Sequence, residues 1–348
     1  MSAPPALSVL DQSPVSQGST GADALRNTID LARLADALGY RRYWVAEHHG
    51  GPMLAGPSPE VLIGPIAAAT SGIRVGSGGV MLPHYSPLKV AESFSLLAGL
   101  FGDRIDLAVG RAPGTDGITA FALQRDRRQA APDDFPQQLA ELLAYLEDRM
   151  PPDHPFARLA ATLPGRPFAP DPWLLGSSPQ SGIWAAELGL PYAFADFINP
   201  DGAQIARSYR ERFVDSVRRA SPEVAVAVWA LCADSAEEAE HLAASSRWSF
   251  VKLRRGELIA VPPPDEAERE LAAAGGEALM RAHRRRAVLG TGEQVRTELE
   301  RVAAEYGAQE VIVVTITYDH AVRRRSYELL AEAFELEPRE TPAAAQTA

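Results

Sequence analysis

Cysteine is nearly absent from this chain, whose 348 residues include only one, Cys232. A single cysteine cannot form an internal disulfide, and such low usage is typical of a protein kept in a reducing cytosol. Long apolar runs are missing as well, because no stretch approaches the ~18 consecutive apolar residues of a membrane span. The N-terminus also lacks the basic region and apolar core that mark a signal peptide. We therefore expect a soluble, cytoplasmic protein.

Basic residues are outnumbered, with 34 Lys and Arg against 45 Asp and Glu, which gives a formal net charge of −11. A field of this sign repels the phosphates of nucleic acids and the head groups of anionic lipids. Three short arginine clusters, at 125–128, 284–286 and 323–325, are each predicted to be the solvated surface of a helix or loop. Neither nucleic acid nor a membrane is expected as a partner.

Short apolar runs alternate regularly with amphipathic helical stretches along the chain. Several runs are apolar almost throughout, as at 224–228 and 311–314, which indicates strands covered on both faces. Eight such strands, each followed by a helix, predict an α/β fold with a parallel sheet; a closed (β/α)₈ TIM barrel is preferred over a doubly wound open sheet. The predicted strands cover residues 6–10, 42–46, 73–78, 105–109, 173–175, 192–195, 224–232 and 310–315.

Two long segments interrupt this alternation. Residues 112–171 follow the fourth strand and include a predicted helix near 135–150, and the charged, proline-rich residues 252–286 follow the seventh strand. We interpret both as insertions within a single domain, 1–340, because long segments after barrel strands lie on the catalytic face. The alanine-rich residues 341–348 are expected to form a disordered tail.

Serine precedes proline at three predicted helix starts, with the serines at Ser58, Ser86 and Ser178. Proline suits the first turn of a helix because no partner is needed there for the amide hydrogen that it lacks. The preceding hydroxyl can accept a hydrogen bond from a free amide of that turn. The pattern therefore predicts three helices, each beginning after a capping serine.

The run Glu47-His48-His49 follows the second predicted strand, at the end of a barrel strand where catalytic groups are placed. Histidine exchanges a proton near neutral pH, and a neighbouring carboxylate can fix its tautomer and raise its basicity. His48 and Glu47 are thus the candidate catalytic residues. Zinc ligation is the rival interpretation, but adjacent strand side chains point to opposite faces and the usual metal spacings are absent, so no metal site is predicted.

Glycines follow the third and fourth strands. Gly78 and Gly79, before Val80, would let a flat ring or a backbone approach closely, although the spacing is not that of a dinucleotide-binding loop. Arg111 lies just beyond the fourth strand, in a loop that lacks the lysine of a phosphate-binding loop. We weigh contact with an anionic cofactor and a plain surface ion pair equally for this arginine.

The fifth strand runs into Gly176, Ser177 and Ser178, followed by a proline that starts a helix. Free amides, two hydroxyls and the positive end of a helix dipole meet at such a junction, which favours a bound phosphate. Simple capping of the helix by Ser178 is the alternative, and the residues alone leave both open.

Taken in order, these segments resemble the bacterial luciferase-like monooxygenase family, in its branch that uses flavin mononucleotide (FMN). The resemblance covers most of the chain, and the order of the segments is its specific part. The matching segments are residues 7–14, 46–49, 78–83, 110–115, 175–178 and 186–191.

The resemblance implies a (β/α)₈ barrel with FMN across its carboxyl-terminal face. His48 is similar to the active-site histidine of the family, which supports the flavin–oxygen adduct and its proton transfers. Gly78, Gly79 and Val80 are similar to the strand edge under the isoalloxazine ring. The implied phosphate contacts are Arg111, Gly176, Ser177 and Ser178.

The chemistry implied by the resemblance is that of an oxidoreductase. Reduced FMN would react with O₂ to a C4a-(hydro)peroxyflavin, which oxygenates a small organic substrate in a dry pocket. The chain shows no dinucleotide-binding motif, so a separate reductase is expected to supply the reduced flavin. Family resemblance also suggests a homodimer. The high alanine and arginine content resembles that of bacteria with GC-rich genomes, which suggests a role in secondary metabolism such as antibiotic biosynthesis.

Three alternatives stay open. A dehydrogenase or reductase that uses the deazaflavin F420 would belong to the same superfamily and would transfer hydride without oxygen. A metal-dependent barrel hydrolase would bind zinc through His48 or His49. An inactive flavin-binding partner subunit is the third, and His48 argues against it.

Overall fold

The computed structural model of the protein describes residues 4–129, 133–276 and 286–339. Eight parallel strands form a closed barrel, because each pairs with the next and the last pairs with both the seventh and the first. The strands are β1 (Ala6–Asp11), β2 (Arg42–Val45), β3 (Arg74–Met81), β4 (Ile105–Gly110), β5 (Asp171–Gly176), β6 (Tyr192–Ala195), β7 (Val224–Cys232) and β9 (Glu310–Val314), with a short β8 (Val288–Gly290) paired to the end of β7. The predicted barrel is confirmed, and the open sheet is wrong.

Helices cover the outside of the barrel. Their bounds are α1 (Gly21–Ala37), α2 (Pro59–Ala69), α3 (Pro87–Phe101), α4 (Gly117–Leu123), α5 (Phe135–Glu147), α6 (Ala157–Ala160), α7 (Pro179–Glu187), α8 (Ala203–Arg212), α9 (Ala236–Arg254), α10 (Pro264–Ala273), α11 (Gly292–Tyr306) and α12 (His320–Ala333). Short 3₁₀ turns occupy Leu82–His84 and Gly102–Arg104. Among the described residues, no helix has the length and apolar character needed to cross a membrane.

The two predicted insertions carry elements of their own. Residues 112–171 contain α4, α5 and α6, and α5 corresponds to the helix predicted near 135–150. Residues 252–286 contain the end of α9 and all of α10, while 277–285 and the predicted tail, 341–348, lie outside the described residues. The assignment of 1–340 to a single domain stays a prediction.

Side chains of β7 contribute to two hydrophobic cores, one inside the barrel and one between the barrel and the helices. Every residue of this strand is buried. Ala225, Ala227 and Trp229 face the barrel interior, whereas Val226 and Val228, which alternate with them, pack against the surrounding helices. The alternation follows from the two-residue period of a strand, and small alanines suit the narrow interior.

Charged side chains fill the amino-terminal end of the barrel. Arg42 is 2% exposed and donates from Nε to both oxygens of Glu310 at 3.1 Å and from Nη1 to Asp106 at 2.9 Å. Its guanidinium also lies 4.6 Å from the ring centroid of Trp173. Buried charges need such partners because desolvation is otherwise uncompensated. This end of the barrel is therefore closed, and the opposite end is the one available for chemistry.

One prediction about surface charge is wrong. Arg323, predicted to be solvated with the rest of the cluster at 323–325, is 2% exposed. Its Nη2 donates to Oδ1 of Asp11 at 2.7 Å and its Nε to the carbonyl oxygen of Thr315 at 2.8 Å. Helix α12 turns this side chain inward because Asp11, at the end of β1, is fully buried and needs a cation.

Candidate active site

The predicted site residues follow neighbouring strands of the barrel. The carboxyl ends of parallel strands meet at one rim, so residues after β2, β3, β4 and β5 form one continuous arc. The arc contains His48 after β2, Gly78 and Gly79 within β3, Arg111 after β4, and Gly176, Ser177 and Ser178 at the end of β5. Gln12, which follows β1, extends the same arc by one strand.

His48 is half-buried and held from both ring nitrogens. Nδ1 lies 3.1 Å from the carbonyl oxygen of Gly114, and Nε2 lies 3.3 Å from the side-chain nitrogen of Gln12. Burial lowers the pKa of His48 below 6.5 and outweighs the opposite effects of the Gly114 carbonyl and the Glu47 charge. The ring is therefore mainly neutral at pH 7, in the state that can accept a proton.

Glu47, predicted to act beside His48, has its carboxylate engaged on both oxygens. Its carboxylate is fully buried; Oε1 accepts from Nε2 of His49 at 2.9 Å and Oε2 accepts from the amide of Met81 at 2.9 Å. The side chains of residues 47 and 49 turn toward each other just beyond the strand. These contacts favour a positioning role for Glu47, and its assignment as a catalytic residue stays a prediction.

Histidines fix the loop that follows β4. Three consecutive residues of this loop are contacted from the segments that follow β2 and β3. The contacts are His84 Nε2 to Pro113 O (2.8 Å), His48 Nδ1 to Gly114 O (3.1 Å) and Thr115 Oγ1 to His49 O (3.0 Å). Sequence reasoning missed Gln12, His84 and Gly114 as site residues. Gln12 directly follows β1, His84 ends the 3₁₀ turn after β3, and Gly114 lies in the loop after β4.

The glycines of β3 are required by their protein neighbours. A Cβ atom on Gly78 would lie 2.6 Å from Leu10 Cδ1, and one on Gly79 would lie 2.6 Å from the carbonyl oxygen of Ala108. The side chain of Val80 is buried in the outer core, so a ligand at the rim could meet only its backbone. Gly78 itself is partly exposed, which leaves a side-chain-free backbone edge on the arc.

Arg111 lies beside α7, the helix that follows Ser177 and Ser178. The guanidinium of Arg111 lies 5.7 Å from the ring centroid of Trp184 in α7, and the pairing of Val109 with Leu174 sets Arg111 level with Gly176. Within the described residues, Arg111 has no ion pair, and the hydroxyls of Ser177 and Ser178 have no hydrogen-bond partner. An arginine without an ion pair and two free hydroxyls therefore follow the neighbouring strands β4 and β5, beside the N-terminus of α7.

The serine caps predicted before proline are only half right. Ser58, Ser86 and Ser178 do occupy the N-cap positions of α2, α3 and α7, each with proline next. In this described part of the chain, however, none of their side chains accepts a capping hydrogen bond. For Ser178 the capping alternative is thereby removed, and its hydroxyl is available to a ligand.

The rim residues fit an organic phosphate better than a metal ion. His48 and His49 direct their nitrogens to different partners and do not form a shared ligand set. The structure as described holds one group of three potential ligands within 4.8 Å, His241, Asp265 and Glu268. That group lies on α9 and α10, and both imidazole nitrogens already face carboxylates.

The structure is a closed barrel that carries a histidine, an arginine and two serine hydroxyls on its carboxyl-terminal rim. The sequence model of the luciferase-like monooxygenase family matches residues 6–310. The chain belongs to that family, and it is an oxidoreductase of the monooxygenase type.

Relatives match over almost their whole length. The Bacillus subtilis protein YwcH is 48% identical over 94% of this chain and 98% of its own. The luciferase-like monooxygenase of Escherichia coli K12 is 40% identical over 95% and 97%, and the N-acetyl-S-alkylcysteine monooxygenase of B. subtilis is 37% identical over 94% and 97%.

Solved structures show the same barrel. The crystal structure of apo-MsnO8 is 44% identical, superposes with a TM-score of 0.86 and covers 97% of this chain and 99% of its own. Two more distant structures share the fold alone. One is the oxygenating component of 3,6-diketocamphane monooxygenase from Pseudomonas putida with FMN (18% identical, TM-score 0.71, 97% and 100% covered). The other is an F420-dependent secondary alcohol dehydrogenase (16%, TM-score 0.63, 95% and 99% covered).

Proposed function

We propose that the protein is a two-component FMN-dependent monooxygenase, which receives reduced FMN from a separate reductase and oxygenates a small organic substrate with O₂. The observation that carries this proposal is that Arg111 has no ion pair, and Ser177 and Ser178 no side-chain hydrogen bond, among the described residues after the neighbouring strands β4 and β5. These three residues lie on the same arc as the neutral His48, with the bare backbone edge of Gly78 between them. This order of groups suits a phosphate-bearing cofactor whose ring system reaches the histidine.

Bound reduced FMN would supply the electrons that activate O₂. The chain supplies the remaining functions. Arg111 would pair with the phosphate, and the hydroxyls of Ser177 and Ser178 would donate to it, in charge-assisted hydrogen bonds. His48 would accept a proton at Nε2 and return it there, because Nδ1 is engaged by Gly114.

The insertion after β7 helps to exclude water. Its residue Val261 pairs with Ser16 in the loop after β1, and Leu258 lies against Gly51, two residues beyond His49. The segment therefore borders the loop that carries His48, and a dry site strengthens electrostatic interactions within it. A place in secondary metabolism and a homodimeric assembly are the further parts of this proposal.

Two measurements test the function. First, the purified protein is titrated with FMN and with F420, and binding is followed by fluorescence. Second, O₂ uptake is measured in the presence of NADH, a flavin reductase and candidate substrates. N-acetyl-S-alkylcysteines are included because one relative is named as their monooxygenase. We expect FMN binding that weakens roughly tenfold or more in Arg111→Ala, and not in Arg158→Ala, an exposed arginine on α6. Binding of F420 without O₂ uptake would favour the dehydrogenase alternative, and stoichiometric zinc would favour the hydrolase.

A further inference from the structure

Gln12 is the side chain that meets the reactive nitrogen of His48. It follows the last residue of β1, is half-buried, and places its amide nitrogen 3.3 Å from Nε2 of the imidazole. The other ring nitrogen faces the carbonyl oxygen of Gly114 at 3.1 Å. The ring is thus held between a backbone acceptor on one side and a side-chain amide on the other.

The backbone of Gln12 is fixed on both sides. Asp11, before it, is fully buried and accepts hydrogen bonds from Nη2 of Arg323 (2.7 Å) and from the hydroxyl of Tyr43 (2.5 Å). Ser13, after it, donates its amide to Oδ1 of Asp11 at 2.7 Å and adopts a positive φ of 50°. Because the turn is anchored in the core, the Gln12 amide is presented to His48 from a rigid base.

The two contacts define the tautomer of the ring. A carbonyl oxygen can only accept, so Nδ1 of His48 carries the hydrogen that it donates to Gly114. In the neutral ring Nε2 then holds a lone pair, which accepts from the Gln12 NH₂ group. Once Nε2 gains a proton it becomes a donor, and a half-turn of the Gln12 amide presents Oε1 to it instead.

We propose that Gln12 is a positioning residue of the monooxygenase: its side-chain amide orients the His48 ring by donating to neutral Nε2 before proton exchange and by accepting from protonated Nε2 after it. In the forward step the Gln12 amide moves off Nε2, a proton passes from the reacting group to the freed lone pair, and the Nδ1–H to Gly114 is retained. In the return step the same proton leaves from Nε2. This inference rests on the proposed function for its catalytic meaning, but its geometry can be measured without turnover.

The test uses the full-length protein with ¹⁵N-labelled histidine and compares Gln12→Glu and Gln12→Leu with the unchanged chain. The chain has seven histidines, and His48→Gln identifies the signal of His48. We expect the Nδ1–H tautomer in the unchanged chain. Glutamate at position 12 should raise the pKa of His48 by about one pH unit or more, since a negative charge then faces Nε2. Leucine, which offers neither donor nor acceptor, should lower it.

The control is Gln17→Glu, which makes the same change in the same loop. Gln17 is exposed and its amide faces Glu266 at 3.4 Å, so the pKa of His48 should stay unchanged. Glu47 and His49, the titratable groups that face His48, are retained in all variants. Thermal unfolding of each variant separates a local effect from misfolding, and Gln12→Met serves as a second apolar replacement if leucine prevents folding.

The outcomes distinguish this inference from the proposed function. An Nε2–H tautomer, or a His48 pKa that does not respond to glutamate at position 12, would overturn the role of Gln12 even in an enzyme that consumes O₂ with FMN. If the pKa responds but neither FMN binding nor O₂ uptake occurs, the positioning role stands and the proposed function fails. If the pKa of His48 responds and the protein also binds FMN and takes up O₂, the pH profile of O₂ uptake in Gln12→Glu should shift together with the pKa of His48.

Discussion

Glu47 and His49 form a hydrogen-bonded pair across two residues of the chain, with Oε1 of the glutamate 2.9 Å from Nε2 of the histidine. The second carboxylate oxygen accepts the amide of Met81, the last residue of β3, at 2.9 Å. A single buried carboxylate thus ties the segment after β2 to the end of β3. Because His48 lies between the two paired residues, its backbone position depends on this carboxylate.

Glu47→Gln is expected to destabilise the protein by about 1–3 kcal/mol. The glutamine side chain keeps one carbonyl acceptor, but its NH₂ group then faces either Nε2 of His49 or the backbone amide of Met81. One of these two donors therefore loses its hydrogen-bond acceptor. Denaturant unfolding monitored by tryptophan fluorescence measures the change. Glu92→Gln is the matched control, since Glu92 is half exposed and its surface contact with Lys89 should contribute little. Equal stability of the two variants would contradict the positioning role of Glu47.

Ser178→Ala and Ser235→Ala should have opposite effects on folding and binding. Ser235 accepts a capping hydrogen bond from the amide of Glu238 at 3.1 Å, so its loss should cost about 1 kcal/mol of stability. Ser178 makes no such bond, and its loss should change stability by less than ~0.5 kcal/mol. Titration with FMN should show the reverse order, with weaker binding in Ser178→Ala alone. A large loss of stability in Ser178→Ala would argue for an ordinary cap.

The pH dependence of O₂ uptake should report the lowered pKa of His48. The neutral ring is the active form, so activity should fall as the pH drops through a midpoint below 6.5. The same group affects stability. Because burial lowers the folded-state pKa, the unfolded chain binds more protons between that pKa and 6.5, and stability decreases as the pH falls through this window. Comparison with His48→Gln isolates both effects, and an activity midpoint above 6.5 would contradict the assignment.

The barrel could be predicted from the sequence because its strands are apolar on both faces and are separated by helices whose apolar residues recur with a helical spacing. The sequence did not predict β8, since Val288–Gly290 is too short to show a period. It placed His48, Glu47 and Arg111 at the rim but misjudged Arg323. That error concerns which way a charged side chain turns, and the direction is decided by a partner distant in the chain, since Asp11 lies 312 positions away.

Gly79→Ala should be strongly destabilising even without a ligand. An added Cβ would lie 2.6 Å from both the carbonyl oxygen of Ala108 and Cδ2 of Leu175, closer than real Cβ contacts allow, so β3 and β4 would have to separate. We expect a loss of about 1–3 kcal/mol, as for an overpacked core. Gly117→Ala is the control, because a Cβ there meets nothing within 4 Å. If Gly79→Ala folds with unchanged stability and loses only FMN binding, the glycine serves the ligand rather than the strands.

Arg323→Met should be among the most damaging single substitutions at the rim, because it leaves the buried carboxylate of Asp11 without its cation. Burial alone would raise the pKa of Asp11, but the charge and hydrogen bonds of Arg323, with those of Tyr43 and Ser13, outweigh it and hold the pKa below 3.8. The stability gained from Asp11 is therefore present above pH 3.8 and is lost as the pH falls through the folded-state pKa. Removing the arginine should cost about 3–5 kcal/mol near neutral pH.

A double-mutant cycle makes this expectation specific to the pair. Asp11→Asn in the Arg323→Met background removes the uncompensated charge, so the double variant should be more stable than Arg323→Met alone at pH 7. At low pH the two should converge, since protonation then neutralises Asp11 in Arg323→Met and the asparagine of the double variant carries no charge. If the stability losses of Arg323→Met and Asp11→Asn simply add in the double variant, Arg323 acts only through packing. In that case the anchor under Gln12 would be the Tyr43 hydroxyl, and Tyr43→Phe rather than Arg323→Met should then disturb His48.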